Sequence, residues 1–225
     1  MVAKIWLALA ATSVVLAALL FGSAGTMRWY AGWAFLVIFS EETLRTTRML
    51  ARDDPALLAE RMKFRAQKGQ PLWDKIFLAA MQVVWCGWLV LMGLDSVRFA
   101  WSSMPAWLQW IGAAGLFVAL RFIHRVFREN TFLAPVVRIQ KERGQRVVAT
   151  GPYAIVRHPL YASAALFMPS TALLLGSWYG LASSTLLIAA FVFRIVMEER
   201  ELRRGLEGYV AYTRRVRYRL VPFLW

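Results

Sequence analysis

At 225 residues the chain has the length of one or two soluble domains, but 59% hydrophobic residues, 18% charged residues and a mean hydropathy of +0.48 exclude an ordinary water-soluble fold. A single cysteine, Cys86, excludes a disulfide framework and any paired-cysteine metal or redox site, and no cysteine lies near the C-terminus for prenylation. The net charge of +14 would suit nucleic acid, yet the 27 Lys and Arg alternate with apolar spans, so the charge is read as membrane topology and no nucleic-acid partner is expected.

A bilayer core about 30 Å thick is crossed by roughly 20 helical residues, fewer where flanking side chains reach the interface. Six stretches qualify: Ile5 to Phe21, Met27 to Leu44, Ile76 to Leu94, Trp107 to Ile123, Leu160 to Leu175 and Leu181 to Met197. The first follows Lys4 and ends near Gly22-Ser-Ala-Gly25, which a cleaved signal peptide would also show. Its apolar run is longer than a signal peptide's, however, and its removal would leave an odd number of spans. Glu41 and Glu42 interrupt the second, either as acids within the bilayer or as ends that snorkel to the interface. The last two are short and joined by Gly176-Ser-Trp-Tyr-Gly180, which predicts a tight helical hairpin.

With the N-terminus in the cytoplasm, the inside segments hold Lys4 and three groups of eight basic residues, and only Arg28 and Arg98 fall outside. That positive-inside bias predicts an all-α, polytopic membrane helix bundle of six transmembrane helices with both termini cytoplasmic.

The first long inside segment, residues 43–75, contains Asp53-Asp54-Pro55-Ala-Leu-Leu-Ala-Glu60-Arg61. An Asp cap and Pro at the first helical position predict a short amphipathic helix. It would lie on the membrane surface with Lys63, Arg65 and Lys68 at anionic headgroups, or form a lid over a slot for lipid.

The second, Arg125 to Arg157, is too polar to span. A turn at Gly144 and the pair Val147-Val148 lead to Thr150-Gly-Pro-Tyr-Ala-Ile-Val-Arg-His-Pro-Leu-Tyr161. Here Pro159 suits the first helical position and His158 the cap, so unpaired N–H groups open the fifth helix at the cytoplasmic interface. Such a helix start attracts an anion, and Arg157 and His158 would strengthen it. Tyr153 and Tyr161 offer aromatic faces for a cation or a heterocycle, although Gly-Pro turns, Arg at headgroups and interfacial Tyr are also ordinary membrane features. Two histidines, His124 and His158, without Cys or carboxylate partners at ligand spacing predict no metal.

In the third, Arg194 and Glu198 are four apart on one helical face and would form a surface ion pair. Arg194 follows the apolar run Leu186 to Phe193, however, and ionisable groups at such depth usually face the protein interior, where Arg holds an anion and Glu an ammonium. The helix is expected to break near Gly205 and Gly208, before Tyr209-Val-Ala-Tyr212 and a basic tail that Trp225 would anchor at the interface.

Gly151-Pro-Tyr-xxx-Arg-His-Pro-x-Tyr161, a transmembrane hairpin, Arg194-xxx-Glu198-Glu199 and Tyr209-xx-Tyr212 follow one another in order. Over roughly residues 120 to 222 the chain thereby resembles the isoprenylcysteine carboxyl methyltransferase and phospholipid methyltransferase superfamily. It departs from the family's usual pattern at Ser163, where Gly is common, and at Leu206-Glu-Gly208, where Phe-Gly is common. The resemblance implies an integral membrane enzyme that transfers a methyl group from S-adenosylmethionine, leaving S-adenosylhomocysteine, to a lipophilic acceptor: a membrane lipid or a lipidated small molecule. It further implies a cytoplasmic cofactor pocket lined by Gln145, Arg146, Val147, Val148, Tyr153, His158, Pro159, Leu160 and Tyr161. Glu198, together with Glu199, would hold the cofactor's amino group, and Arg194 would face the acceptor. Residues 1–120 would then supply the N-terminal helices and residues 121–225 the catalytic region.

The residue chemistry agrees with that expectation. S-adenosylmethionine needs a site for its carboxylate, an acid for its ammonium and aromatic or apolar walls, for which the α-helix start at His158, Glu198 and the tyrosines are candidates. No Gly-x-Gly-x-x-Gly and no βαβ pattern is present, against a soluble dinucleotide-type methyltransferase. A carboxylate acceptor needs alignment alone, whereas an amine must first lose a proton to Glu198, Glu199 or a tyrosine. Two other readings stand beside it: an NADPH-dependent reductase like the sterol reductases, which resemble this superfamily in their C-terminal region, and a non-catalytic membrane protein that keeps the fold.

Overall fold

The structure, a computed structural model, describes residues 2–63, 67 and 69–225, with side chains from residue 5 onward. Arg65 and Lys68, expected at the headgroups, lie outside the described residues, as does the side chain of Lys4. The elements are helical throughout: α1 (Val2–Ala24), α2 (Tyr30–Asp53), α3 (Pro55–Arg61), α4 (Leu72–Gly93), α5 (Ala106–Glu129), α6 (Pro159–Leu175), α7 (Trp178–Gly205) and α8 (Tyr209–Arg215). Among the described residues there is no strand, and Val147-Val148 lie in loop.

Among the described residues four helical stretches are long and apolar enough to cross a membrane: Ile5–Ala24, Leu72–Arg98, Ala106–Glu129 and Trp178–Gly205. The other two expected spans differ for separate reasons. Helix α6 is apolar but has 17 residues, and α2 is long enough but carries Glu41, Glu42, Arg45, Arg48, Arg52 and Asp53 in its second half. Helix α5 runs past its expected apolar span into Arg128-Glu129, because polar residues with good helix propensity prolong the apolar core, and α7 ends at Gly205, where the break was expected.

The chain packs as two units. The first comprises Met1–Arg45, Met81–Arg121 and Ala165–Leu187. Its interior is made by Leu20, Phe35, Leu89, Met92, Leu116 and Leu175, all fully buried. Without a hydrophobic drive between helices in lipid, close packing depends on small residues. A Cβ on Gly93 would collide with Ser23, and one on Gly112 with the Leu174 backbone nitrogen, so α4 meets α1 and α5 meets α6 backbone to backbone. The turn between α6 and α7 is held by Asp95, whose Oδ2 accepts from Ser102 Oγ (2.6 Å) and Ser177 Oγ (2.6 Å). The two hydroxyls in turn accept from Trp178 N (3.0 Å) and Gly180 N (2.7 Å), two of the N–H groups that α7 leaves unpaired at its start. Of the two acids in α2, Glu41 is exposed. Glu42 is buried 3.5 Å from Arg45 and 3.6 Å from Arg121.

The second unit comprises Thr46–Ala80, Phe122–Ala164 and Ile188–Trp225. Asp54 caps α3 by accepting from Leu57 N (2.9 Å), with Pro55 at the first position. The buried face of α3 is Leu57, Leu58 and Glu60, so this amphipathic helix turns its apolar side to protein. After α7 the Gly205–Gly208 break reverses the chain, and Tyr209, Tyr212 and Val216 pack with Val147, Ala149, Leu202 and Leu206. Trp225 folds back on its own tail: its carbonyl accepts from Arg219 N, Leu220 N and Val221 N, and its ring lies 4.9 Å from the Arg219 guanidinium.

Candidate active site

Four segments of the second unit converge on one cavity of about 250 Å³: the end of α3, the 130–148 connection, the start of α6 and the C-terminal end of α7 with α8. The 3-10 turn Gly151–Ala154 sets Tyr153 into its wall, and Tyr212 Oη ties that turn to α8 by donating to Tyr153 O at 2.7 Å. Helix α6 starts at Pro159, and its first intrahelical bond runs from Ala162 N to His158 O. The N–H groups of Leu160 and Tyr161, both cavity residues, therefore have no acceptor within the helix.

The expected cofactor residues Gln145, Arg146, Val147, Val148, Tyr153, His158, Pro159, Leu160, Tyr161 and Glu198 all line this cavity, together with Arg194. Glu199 does not. It is 3% exposed, and its carboxylate accepts from Arg157 Nε (2.6 Å) and Arg219 Nε (3.1 Å), with His158 Nε2 at 3.3 Å. Arg157 also donates to Val216 O (2.8 Å) and Arg217 O (2.7 Å). Arg157 and the His158 ring are thus engaged by Glu199 and do not strengthen the anion site expected at the α6 start. The Arg157–Glu199 pair fastens the C-terminal tail to the start of α6 and the end of α7.

Glu198 instead accepts from Tyr161 Oη at 2.7 Å and keeps its place on the cavity wall. The ion pair expected between Arg194 and Glu198 is replaced by one that spans 120 positions. Arg194 Nη2 lies 2.9 Å and Nε 3.0 Å from Asp74 Oδ1, and Nη2 also donates to Pro135 O (3.0 Å). Asp74, fully buried, accepts from Gln70 Nε2 (2.8 Å) and Val137 N (2.9 Å) as well. Every oxygen of Asp74 is thereby used, and it fixes both the arginine and the 135–137 wall. Sequence reasoning missed Asp74, Arg61 and the 132–137 stretch. The signals available were an acid three residues after Pro71 at the head of an apolar helix, and Pro135 in a segment too polar to span.

Burial raises the Tyr153 and Tyr209 phenols far above their ordinary range, with the negative charge of Glu198 and Glu199 adding to the rise at Tyr209. Burial pushes Tyr212 up to about 12. All three are neutral donors at physiological pH, not bases. Tyr209 Oη is buried without a hydrogen-bond partner among the described residues.

With this geometry, residues 110–207 match the family described as phospholipid methyltransferase. Over that stretch the chain is similar to this family. Among solved structures the chain is similar to one described as the eukaryotic intramembrane Ras methyltransferase isoprenylcysteine carboxyl methyltransferase without a monobody. The two share 18% identity at a TM-score of 0.53, over 94% of this chain and 73% of that one, which establishes likeness of fold. No curated protein matches the chain. Arg61 and Asp74 lie before the matched residues, so these two parts of the candidate site come from outside the family stretch.

Proposed function

We propose that the chain is an integral membrane methyltransferase that uses S-adenosylmethionine and modifies a lipophilic acceptor, either by carboxyl O-methylation or by N-methylation of a phospholipid amine. The observation that carries this reading is the cavity itself, in which Glu198 stands open beside the unpaired N–H groups of Leu160 and Tyr161. Six membrane crossings with both termini in the cytoplasm belong to the same proposal.

The residues fit the cofactor's chemistry. An amino acid carried on a sulfonium and an adenosine needs an acid for its ammonium and donors for its carboxylate. Glu198 and the α6 start supply these, and Tyr153, Tyr209 and Tyr212 supply aromatic walls with one free phenol. When bound, the cofactor supplies a methyl group on positively charged sulfur. The chain's own part is then to place the acceptor in line and keep water away, and alignment can supply roughly 7–11 kcal/mol in favourable cases. Arg194, locked by Asp74 and Pro135 O, is a rigid cation suited to orienting the acceptor. For an amine acceptor the base would be Glu198, because the tyrosines are held protonated and Glu199 is committed to Arg157.

The test is calorimetric titration of S-adenosylmethionine and S-adenosylhomocysteine into the detergent-purified protein and into Glu198→Gln. Wild-type binding that weakens roughly 10- to 100-fold in the variant is expected from the loss of a charged hydrogen bond. A folded wild type that binds neither compound, or binds NADPH instead, refutes the proposal.

A further inference from the structure

Of the buried and half-buried arginines around the cavity, one has no matching carboxylate among the described residues; Arg146, which also has none, is exposed to solvent. Arg138 is matched by Glu60 (2.8 Å) and Glu142 (2.6 Å), Arg157 by Glu199 and Arg194 by Asp74. Arg61, at the C-terminal end of α3, lines the same cavity and forms no ion pair with any carboxylate among the described residues. Its guanidinium donates once, from Nη1 to Leu133 O at 3.2 Å, and lies 4.4 Å from the centre of the Phe127 ring. Leu133 and Pro135, two residues apart, thus accept from Arg61 and Arg194 respectively, which sets two guanidiniums along one strip of backbone. Burial, with the charge of Arg194 adding to it, lowers Arg61 to about 10, so it stays protonated at physiological pH while bearing the strain of an uncompensated charge.

A partly buried cation with unused N–H donors, next to a second cation that is already neutralised, is complete only when an anion enters. Resting on the function proposed above, we infer that Arg61 binds an anionic group of the methyl acceptor, a lipid carboxylate or a lipid phosphodiester, and so selects acceptors that carry such an oxyanion over acceptors that lack one. The cofactor's own carboxylate has the α6 N–H groups, and its sulfonium adds further positive charge that favours an anionic neighbour. A guanidinium fork meets either oxyanion with two parallel hydrogen bonds, which Lys reproduces only as a point charge.

The test measures binding to the full chain in detergent, with and without S-adenosylhomocysteine, for wild type, Arg61→Gln and Arg61→Lys. The probes are N-acetyl-S-farnesylcysteine for the carboxylate, bicelles containing phosphatidylethanolamine for the phosphodiester, and the methyl ester of the first as a neutral control. Arg61→Gln is expected to weaken whichever acidic probe is the better ligand at least tenfold, with Arg61→Lys intermediate. Affinity for S-adenosylhomocysteine and for the methyl ester should be unchanged. Unchanged acidic-probe affinity in Arg61→Gln overturns the assignment, and so does an equal loss for the methyl ester, which would mark a packing role against Phe127. Loss of S-adenosylhomocysteine affinity with the acidic probe retained would place Arg61 on the cofactor and also overturn it. A wild type that takes up no S-adenosylhomocysteine refutes the cofactor reading, while the probe titrations without it still decide Arg61.

Discussion

In the first unit the fully buried Asp95 accepts from Ser102 and Ser177 and pairs with no cation among the described residues, whereas in the second unit Glu199 is gripped by Arg157 and Arg219, and Asp74 by Arg194. The first arrangement serves a turn, since the acid and its hydroxyls satisfy the N–H groups at the start of α7. The second builds walls from charges, each acid fixing an arginine and a stretch of backbone at once. A buried charge that is matched and fully hydrogen-bonded adds little net stability over an apolar substitute, but removal of one partner leaves the other stranded. The cavity is therefore surrounded by side chains that cannot be changed singly without cost, whereas on its wall Glu198 and Arg61 form no ion pair among the described residues.

The largest effect expected from that contrast is on folding. Glu199→Ala leaves Arg157, 4% exposed at its side chain, with two carbonyls and no carboxylate, and should cost about 3–5 kcal/mol. Thermal unfolding in detergent measures it, and a variant as stable as wild type would show that the tail is fastened by packing of Tyr209, Tyr212 and Val216 alone. Asp74→Asn acts next, and on function more than on stability. It keeps the side chain's shape and an acceptor oxygen but releases the charge that locks Arg194, so turnover should fall while S-adenosylhomocysteine affinity holds. Arg194→Ala should abolish turnover with the same sparing of affinity. If Asp74→Asn leaves turnover intact while Arg194→Ala destroys it, Arg194 needs no lock and Asp74 serves the 135–137 wall only.

Local rules carried the sequence reading furthest. Asp54-Pro55 caps α3, His158-Pro159 begins α6 and Gly176 turns the hairpin, because each depends on neighbours along the chain. Pairings across many residues were not legible in the same way. Arg194 has a partner four residues away in sequence, yet Asp74 wins because it is fully buried and offers its oxygen in a site where Gln70 and Val137 already position it. Glu198 and Glu199 differ by about 100° around one helix, enough to set one on the cavity and the other into the Arg157 clamp. Composition alone cannot say which is which. Membrane crossing was legible for the apolar helices and not for α2, where a helix continues through a charged second half that hydropathy treats as loop.

The smallest effect tests the other side of the contrast. In Asp95→Asn no ion pair is broken, since none exists among the described residues, and the amide oxygen still accepts from Ser102 and Ser177. The change weakens hydrogen bonds to a charged acceptor into neutral ones and places an NH2 where Oδ1, already without a partner, now lies. The expected loss is about 1 kcal/mol, read as a small drop in thermal stability beside Glu199→Ala in the same detergent. Ser177→Ala should cost about as much, because that hydroxyl both donates to Asp95 and accepts from Gly180 N. A loss at Asp95 as large as the loss at Glu199 would mean that its charge, and not only its two acceptor positions, holds the start of α7, and the two units would then treat buried acids alike.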